Sequence, residues 1–258
     1  MQNSEFKRRL ILKIKSISML PFILGKATFL KTYLTYHPDS YIQFNAHPEF
    51  KKLLKSFKAK NQINNIGDIT RLWSFMLNIK QIIDEKIPGD FAELGVWRGN
   101  TASLLAHYAF LNNRKVFLFD TFEGFNNRDL QGIDSDKEMK FHDTSIDLVK
   151  KVIGSNSASC DFIAGYFPDS ISENHRTTKY AIVSLDCDLY EPMKAGLDFF
   201  YPLMPQGGLF LLHDYSSLYW AGAKKAIDDF CAKHKEFVIL MPDKSGSAFI
   251  RKSQSIYY

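Results

Sequence analysis

Residues Asp90 to Leu105 read DFAELGVWRGNTASLL, and the reading of this stretch decides the fold. Phe91, Ala92 and Leu94 form an apolar approach around one carboxylate, Glu93. Gly95 and Gly99 then flank a short turn, and Thr101, Ala102 and Ser103 open a helix of small residues. The order is strand, tight turn, helix N-terminus. Glycines let a backbone come close to a ligand, and the N–H groups of a first helical turn attract a carboxylate or phosphate. Glu93 can accept from an ammonium or a hydroxyl. The stretch predicts a site for a nucleotide-like cofactor, although a glycine pair after a strand is also the plain turn of any strand-helix unit.

On the N-terminal side of this stretch, Asp68 to Glu85 places Ile69, Leu72, Trp73, Met76, Ile79, Ile82 and Ile83 on one helical face. Asp68 is the expected N-cap and Pro88-Gly89 the stop. On its C-terminal side strands and helices alternate. Lys115 to Phe119 is an apolar strand ending at Asp120, and Thr144 to Ile153 a helix capped by Asp143 or Thr144. Cys160 to Ala164 is a strand followed by Gly165, and Tyr180 to Leu185 a buried strand ending at Asp186. Pro192 suits the first turn of a helix running to Leu203. Gly207-Gly208 precedes the strand LFLL, which ends at His213-Asp214, and Ala221 to His234 is a helix. Phe237 to Leu240 and Ala248 to Arg251 make a hairpin across Asp243 to Gly246. Such alternation specifies an α/β fold with a parallel sheet covered on both faces. The closing hairpin forces one strand to run antiparallel, because parallel neighbours need a long crossover. A mostly parallel seven-stranded sheet with one antiparallel strand near the C-terminus resembles the class I methyltransferase (Rossmann-like) fold, not the all-parallel dinucleotide fold.

The chain has 258 residues and a net charge of +5, long enough to bury a full core. Its basicity is local. Residues 1–60 carry 12 Lys/Arg against 3 Asp/Glu, which leaves 21 against 25 in the remainder. We therefore divide the chain into a basic helical extension or cap, residues 1–65, and a catalytic domain, residues 66–258. Within the extension, residues 4–34 have Leu10, Ile11, Ile14 and Ile17 at helical spacing among lysines and arginines until Pro21. Such a helix either packs on the domain or makes peripheral contact with a membrane surface; residues 37–65 suit a cap or lid. Ile17 to Leu24 is too short to span a bilayer, which takes roughly 20 apolar residues, and lacks a small-residue cleavage pattern, so it is expected to be retained. Cys160, Cys187 and Cys231 are odd in number and widely spaced, the usage of reduced thiols in a cytoplasmic protein.

In a doubly wound sheet, ligands sit beyond the carboxyl ends of the strands. Glu93, Asp120, Asp186, Asp188, His213 and Asp214 all fall there. Asp120 follows Gly99 by 21 positions and can accept from both hydroxyls of a ribose; as a turn residue it would simply precede Thr121 and Gly124. Asp186 and Asp188, two apart and facing the same way in an extended chain, join Asp214 as oxygen ligands for a hard divalent cation such as magnesium. His213 is softer than magnesium usually takes, and could serve instead as a base or a ligand to another metal. Alternatively Asp214 caps its loop and His213 is structural.

Four segments, GDFAELGVWRGNTA, DTFEGF (Asp120 to Phe125), SLDCDLYEP (Ser184 to Pro192) and GGLFLLHDY (Gly207 to Tyr215), together resemble the TylF/MycF group of macrocin-type O-methyltransferases over roughly residues 66–235. The resemblance implies S-adenosylmethionine as methyl donor, magnesium, and an acceptor hydroxyl on a sugar or glycosylated small molecule. By position it places Glu93, Gly95 and Thr101 near the methionine part of the donor and Asp120 on the ribose; Gly99 of the glycine turn and Gly165 after its strand are counted with them as cofactor-binding candidates. Asp186 and Asp214 would be catalytic and, with His213, would hold the metal. Where the family usually has two acidic residues before the tyrosine, this chain has His213-Asp214. His142, ahead of a helix near the expected site, is a further candidate base, or a plain loop histidine.

Two rival readings remain. A nicotinamide oxidoreductase would need a GxGxxG turn, and Gly95 to Gly99 lacks that spacing. A non-catalytic binding protein would use the basic N-terminal helix on membrane or nucleic acid. Nucleic acid is not the expected substrate, since the fourth strand leads into DCDLY, not Pro-Pro-Tyr. Homo-oligomerisation is left open.

Overall fold

The computed structural model describes residues 69–241, 243 and 245–253, together with 49, 52, 53 and 55. The expected N-terminal helix, the cap over residues 37–65 and the Asp68 N-cap fall, apart from those four positions, outside the described residues.

Helix α1 (Ile69–Asp84) leads into β1 (Asp90–Leu94), α2 (Asn100–Leu111) and β2 (Val116–Asp120). After a 3₁₀ turn at Gly132–Asp134 come α3 (Ile146–Ile153), β3 (Cys160–Ala164), α4 (Glu173–Thr177) and β4 (Tyr180–Leu185). The chain continues through α5 (Tyr190–Leu203), β5 (Leu209–Leu212), α6 (Ala221–His234), β6 (Ile239–Leu240) and β7 (Ala248–Arg251). The seven strands lie in the order β3-β2-β1-β4-β5-β7-β6, all parallel except β7, which runs antiparallel to both its neighbours. The expected class I architecture is thus present. The hairpin is shorter than its sequence implies, with Phe237 and Val238 outside the strand. Its second strand inserts between β5 and β6.

Strand alternation explains the packing. Ala92 and Leu94, Phe117 and Phe119, Val183 and Leu185, Phe210 and Leu212 belong to one apolar cluster with Met193, Leu197 and Phe200 of α5 and Ala223, Ile227 and Phe230 of α6. Each large side chain fully buried there contributes about 1.5–3 kcal/mol. Phe249, one position from that set, instead meets Phe75 of α1 at 5.9 Å on the other face. Sequence order reverses between β1 and β4, and this switch point opens the crevice for a ligand.

Helix α3 starts two residues later than its sequence suggests. Ser145, in extended conformation, accepts from Leu148 N at 3.1 Å, so the cap is neither Asp143 nor Thr144. Thr144 instead hydrogen-bonds the Trp97 carbonyl, while Asp143 accepts from the Trp97 indole at 2.8 Å. Both are drawn away from capping to brace the loop after β1.

Candidate active site

A cavity of about 410 Å³ lies beyond the ends of β1, β2, β4 and β5. Its lining includes Glu93, Gly95, Thr101, Asp120, Gly165, Asp186, Asp188, His213 and Asp214, residues scattered over more than 120 positions of sequence. At Gly95 φ is +84°, and an added Cβ would lie 2.1 Å from the Asp186 carbonyl oxygen, so the loops after β1 and β4 touch through bare backbone. Four non-glycine residues of the lining also hold positive φ: Trp97, Phe141, Asp188 and Asp214. Left-handed backbone costs such residues of order 1–3 kcal/mol each and concentrates where tertiary contacts fix a functional geometry.

The Asp120 carboxylate is already engaged by its own surroundings. Oδ2 accepts from Val96 N at 2.6 Å and Trp97 N at 2.9 Å, and Oδ1 from Phe122 N at 2.7 Å. It therefore ties the glycine loop to the end of β2 while still facing the cavity. Opposite it, Gly99 begins α2 as an N-cap without a side-chain bond, which leaves first-turn N–H groups near Asn100 and Thr101 at the cavity wall.

Glu93 is 1% exposed; Ser184 Oγ donates to its Oε1 at 3.4 Å, and Oε2 has no partner. Burial pushes its carboxyl well above the usual range, and the Asp186 charge adds to the effect. Beside it, Asp186, Asp188, His213 and Asp214 each present one donor atom, all within 4.8 Å of one another. His213 Nδ1 lies 2.7 Å from Asp186 Oδ1 and also contacts Asp214 Oδ2, while Arg71 reaches Asp186 at 3.8 Å. Neither buried ring nitrogen meets hydrogen-bond geometry, although both contacts are within ion-pair distance. The His213 contacts are those of converging charge, not of N–H groups aimed at lone pairs.

Burial, the largest influence, would depress the His213 pKa, and Arg71 works in the same direction, but the Asp186 and Asp214 carboxylates together outweigh them and the value rises to about 10. Burial likewise raises Asp186, yet His213 and Arg71 bring it to a net lowering. Asp188, buried and flanked by the charges of Asp186 and Asp214, is pushed well up. Three carboxylates crowded around one imidazole make a site for positive charge.

A model of the macrocin-O-methyltransferase (TylF) family matches residues 62–248, well over half of the chain. This chain belongs to that family. Among its relatives, demethyldecarbamoylnovobiocin O-methyltransferase of Streptomyces niveus is 28% identical over 179 residues, which cover 64% of this chain and 66% of the relative. The 8-demethyl-8-(2,3-dimethoxy-alpha-L-rhamnosyl)-tetracenomycin-C 4'-O-methyltransferase of Streptomyces olivaceus is 28% identical over 162 residues, 57% of this chain and 61% of the relative. The TylF chain thus spans just under two thirds of the length of these relatives. The O-methyltransferase NovP superposes with a TM-score of 0.59 at 24% identity, covering 72% of this chain and 81% of its own. The calicheamicin methyltransferase CalS11 gives 0.58 at 20%, covering 91% and 94%. At these identities the structural likeness establishes the shared fold.

In this TylF chain most of the residues singled out from sequence meet at the cavity. Two do not. Gly99 packs against Val149 behind the lining, and His142 is exposed and outside it, where its neighbour Phe141 faces inward. Asp188 joins the cluster by a route other than the extended strand expected of it. The strand ends at Leu185, and a φ of +61° turns Asp188 inward. Sequence reasoning also missed Arg71, placed by α1, and an aromatic wall of Trp97, Phe125, Phe141 and Trp220. Their rings pack edge to face, with Phe125 5.1 Å from Phe141 and 5.7 Å from Trp220. The high aromatic content was the one signal, and it carried no position.

Proposed function

We propose that this protein transfers a methyl group from S-adenosylmethionine to a hydroxyl of a sugar or glycosylated small molecule. The observation that carries the reading is the single cavity joining the glycine loop, Asp120 and Gly165 to the carboxylate cluster. Membership of the TylF family and the sugar-directed name of the tetracenomycin relative support the class of acceptor.

The donor's sulfonium supplies a methyl carbon that is already activated, so the protein's task is alignment and proton removal. Glu93, with an unpartnered buried oxygen, suits the donor's ammonium end. Asp120 faces the ribose position, with its carboxylate oriented by the loop it ties. The wall of Phe125, Phe141 and Trp220 offers flat apolar surface to the acceptor. Asp186 receives the acceptor proton. His142 has no part in this scheme.

Asp186, Asp188, His213 and Asp214 fit a divalent cation, which when bound would lower the pKa of an acceptor hydroxyl. The depressed pKa of Asp186 makes it a weak base, and such help correspondingly useful. We place the protein in the cytoplasm, with peripheral membrane contact through the basic segment at residues 1–60. No described helix is long and apolar enough to cross a membrane.

Incubation of the full chain with methyl-labelled donor and a panel of sugar nucleotides and glycosides should label at least one acceptor. Calorimetry should detect S-adenosylhomocysteine, and absence of that binding would overturn the reading.

A further inference from the structure

We propose that the cluster beyond β4 and β5 takes a first-row divalent transition ion, manganese in preference to magnesium, and that His213 sets this preference. The proposal rests on the methyl-transfer reading only for the purpose of the ion; the donor set itself is a property of the fold.

Three observations carry it. The first is size. An octahedral ion with ligands at about 2.1 Å sets neighbouring donors about 3 Å apart and opposite ones about 4.2 Å apart. Four donors that all lie within 4.8 Å of one another need to close by no more than about 0.6 Å to share one coordination sphere.

The second is charge. Asp188 and Asp214 are 8% and 7% exposed, and Glu93, 1% exposed with a free oxygen, lines the same cavity. Together with Asp186 they bring four carboxylates against one guanidinium, Arg71, and one imidazole, His213, among the lining residues near the cluster. Buried like charges of this density call for a cation.

The third is donor chemistry. Both His213 nitrogens are buried without a hydrogen bond, and one lies among the carboxylate oxygens. A buried imidazole left without aimed partners can turn a nitrogen to an incoming cation, which displaces its proton on binding. Cys187 lines the same cavity but is not among the residues whose donor atoms converge. The set is thus one nitrogen and three oxygens. Magnesium favours oxygen and gains little from imidazole, whereas thiolate and nitrogen-rich sets select zinc or copper. Manganese accepts carboxylate and imidazole together.

The test uses the full-length chain freed of metal and titrated with manganese chloride, with the free-ion signal read by electron paramagnetic resonance and magnesium chloride as competitor. Manganese should bind at least tenfold more tightly than magnesium, and pulsed measurements on the bound ion should show nitrogen-14 coupling. In His213→Asp the coupling should vanish and the manganese-to-magnesium ratio fall at least fivefold. Failure to bind manganese, bound manganese without nitrogen coupling in the unaltered protein, or an unchanged ratio in a folded His213→Asp protein would each overturn the proposal. The nitrogen coupling needs no variant, so it decides even if His213→Asp does not fold. Calorimetry with S-adenosylhomocysteine in chelator tests the methyl-transfer reading separately, since a loss there with manganese binding intact removes that reading alone.

Discussion

At the scale of single residues, Gly95 and Asp186 separate architecture from chemistry. Gly95 combines a φ of +84° with backbone contact to Asp186, so any side chain must displace the loop that carries the cluster. Gly95→Ala should cost about 3 kcal/mol or more in stability and abolish donor binding, read by thermal melting and S-adenosylhomocysteine calorimetry. Asp186→Asn should behave differently. It keeps shape but loses the proposed proton acceptor, so kcat should fall roughly 10²- to 10⁴-fold while the S-adenosylhomocysteine Kd stays within about threefold. A parallel collapse of both constants would assign Asp186 to donor binding. The carboxylates at strand ends were legible because a charged residue closing an apolar run has few structural reasons to be there. Arg71 was not, since a charge on the polar side of an amphipathic helix looks solvated until the sheet beneath it is placed.

Among elements, two helix starts meet on one carboxylate. Neither α5 nor α6 has a side-chain cap of its own. Asp134, fully buried in the 3₁₀ turn, accepts from Tyr190 N at 2.7 Å, and an added Cβ at Gly222 would fall 2.1 Å from its Oδ2. Burial raises its carboxyl, and the Tyr190 and Gly222 N–H groups offset part of that. Asp134 thereby fastens the segment following Phe125 to the helices that succeed the Asp186 and His213 loops. Asp134→Ala should lower stability by about 1–3 kcal/mol, measured by urea unfolding, and raise the acceptor KM more than the donor KM. A second element gives a pH dependence. Ser172 N donates to His175 Nδ1 at 3.0 Å at the start of α4, a bond that requires an unprotonated nitrogen. Burial depresses the His175 pKa, so the unfolded chain takes the proton first. The stabilisation is whole above the ordinary histidine value of about 6.5 and is lost as pH falls below it. Melting temperatures of the protein and of His175→Gln should therefore converge on acidification between about pH 7 and 5; a constant gap would refute the cap. None of this was visible in sequence, because the segment from Asn126 to His142 has no periodicity, and a capping partner 56 positions away leaves no local signal.

For the whole molecule, the cavity proposed to take the donor joins loops from the two halves of the sheet, so occupancy should stabilise all of them together. S-adenosylhomocysteine at about 100 times its Kd should add about 2.7 kcal/mol and raise Tm by several degrees in a single cooperative transition. A shift confined to part of the unfolding signal would show that the halves melt separately. The sequence by itself determined the strand-helix alternation, the one reversed strand near the C-terminus and the polar strand ends. These follow from local periodicity and from the reach of short and long connections. The tertiary structure alone decided that Asp188 turns inward, that Asp120 is occupied with holding the glycine loop, that His142 stays outside, and that an aromatic wall lines the cavity. Each depends on loop conformations fixed by contacts between residues far apart in the chain, and such contacts leave no period for a sequence to show.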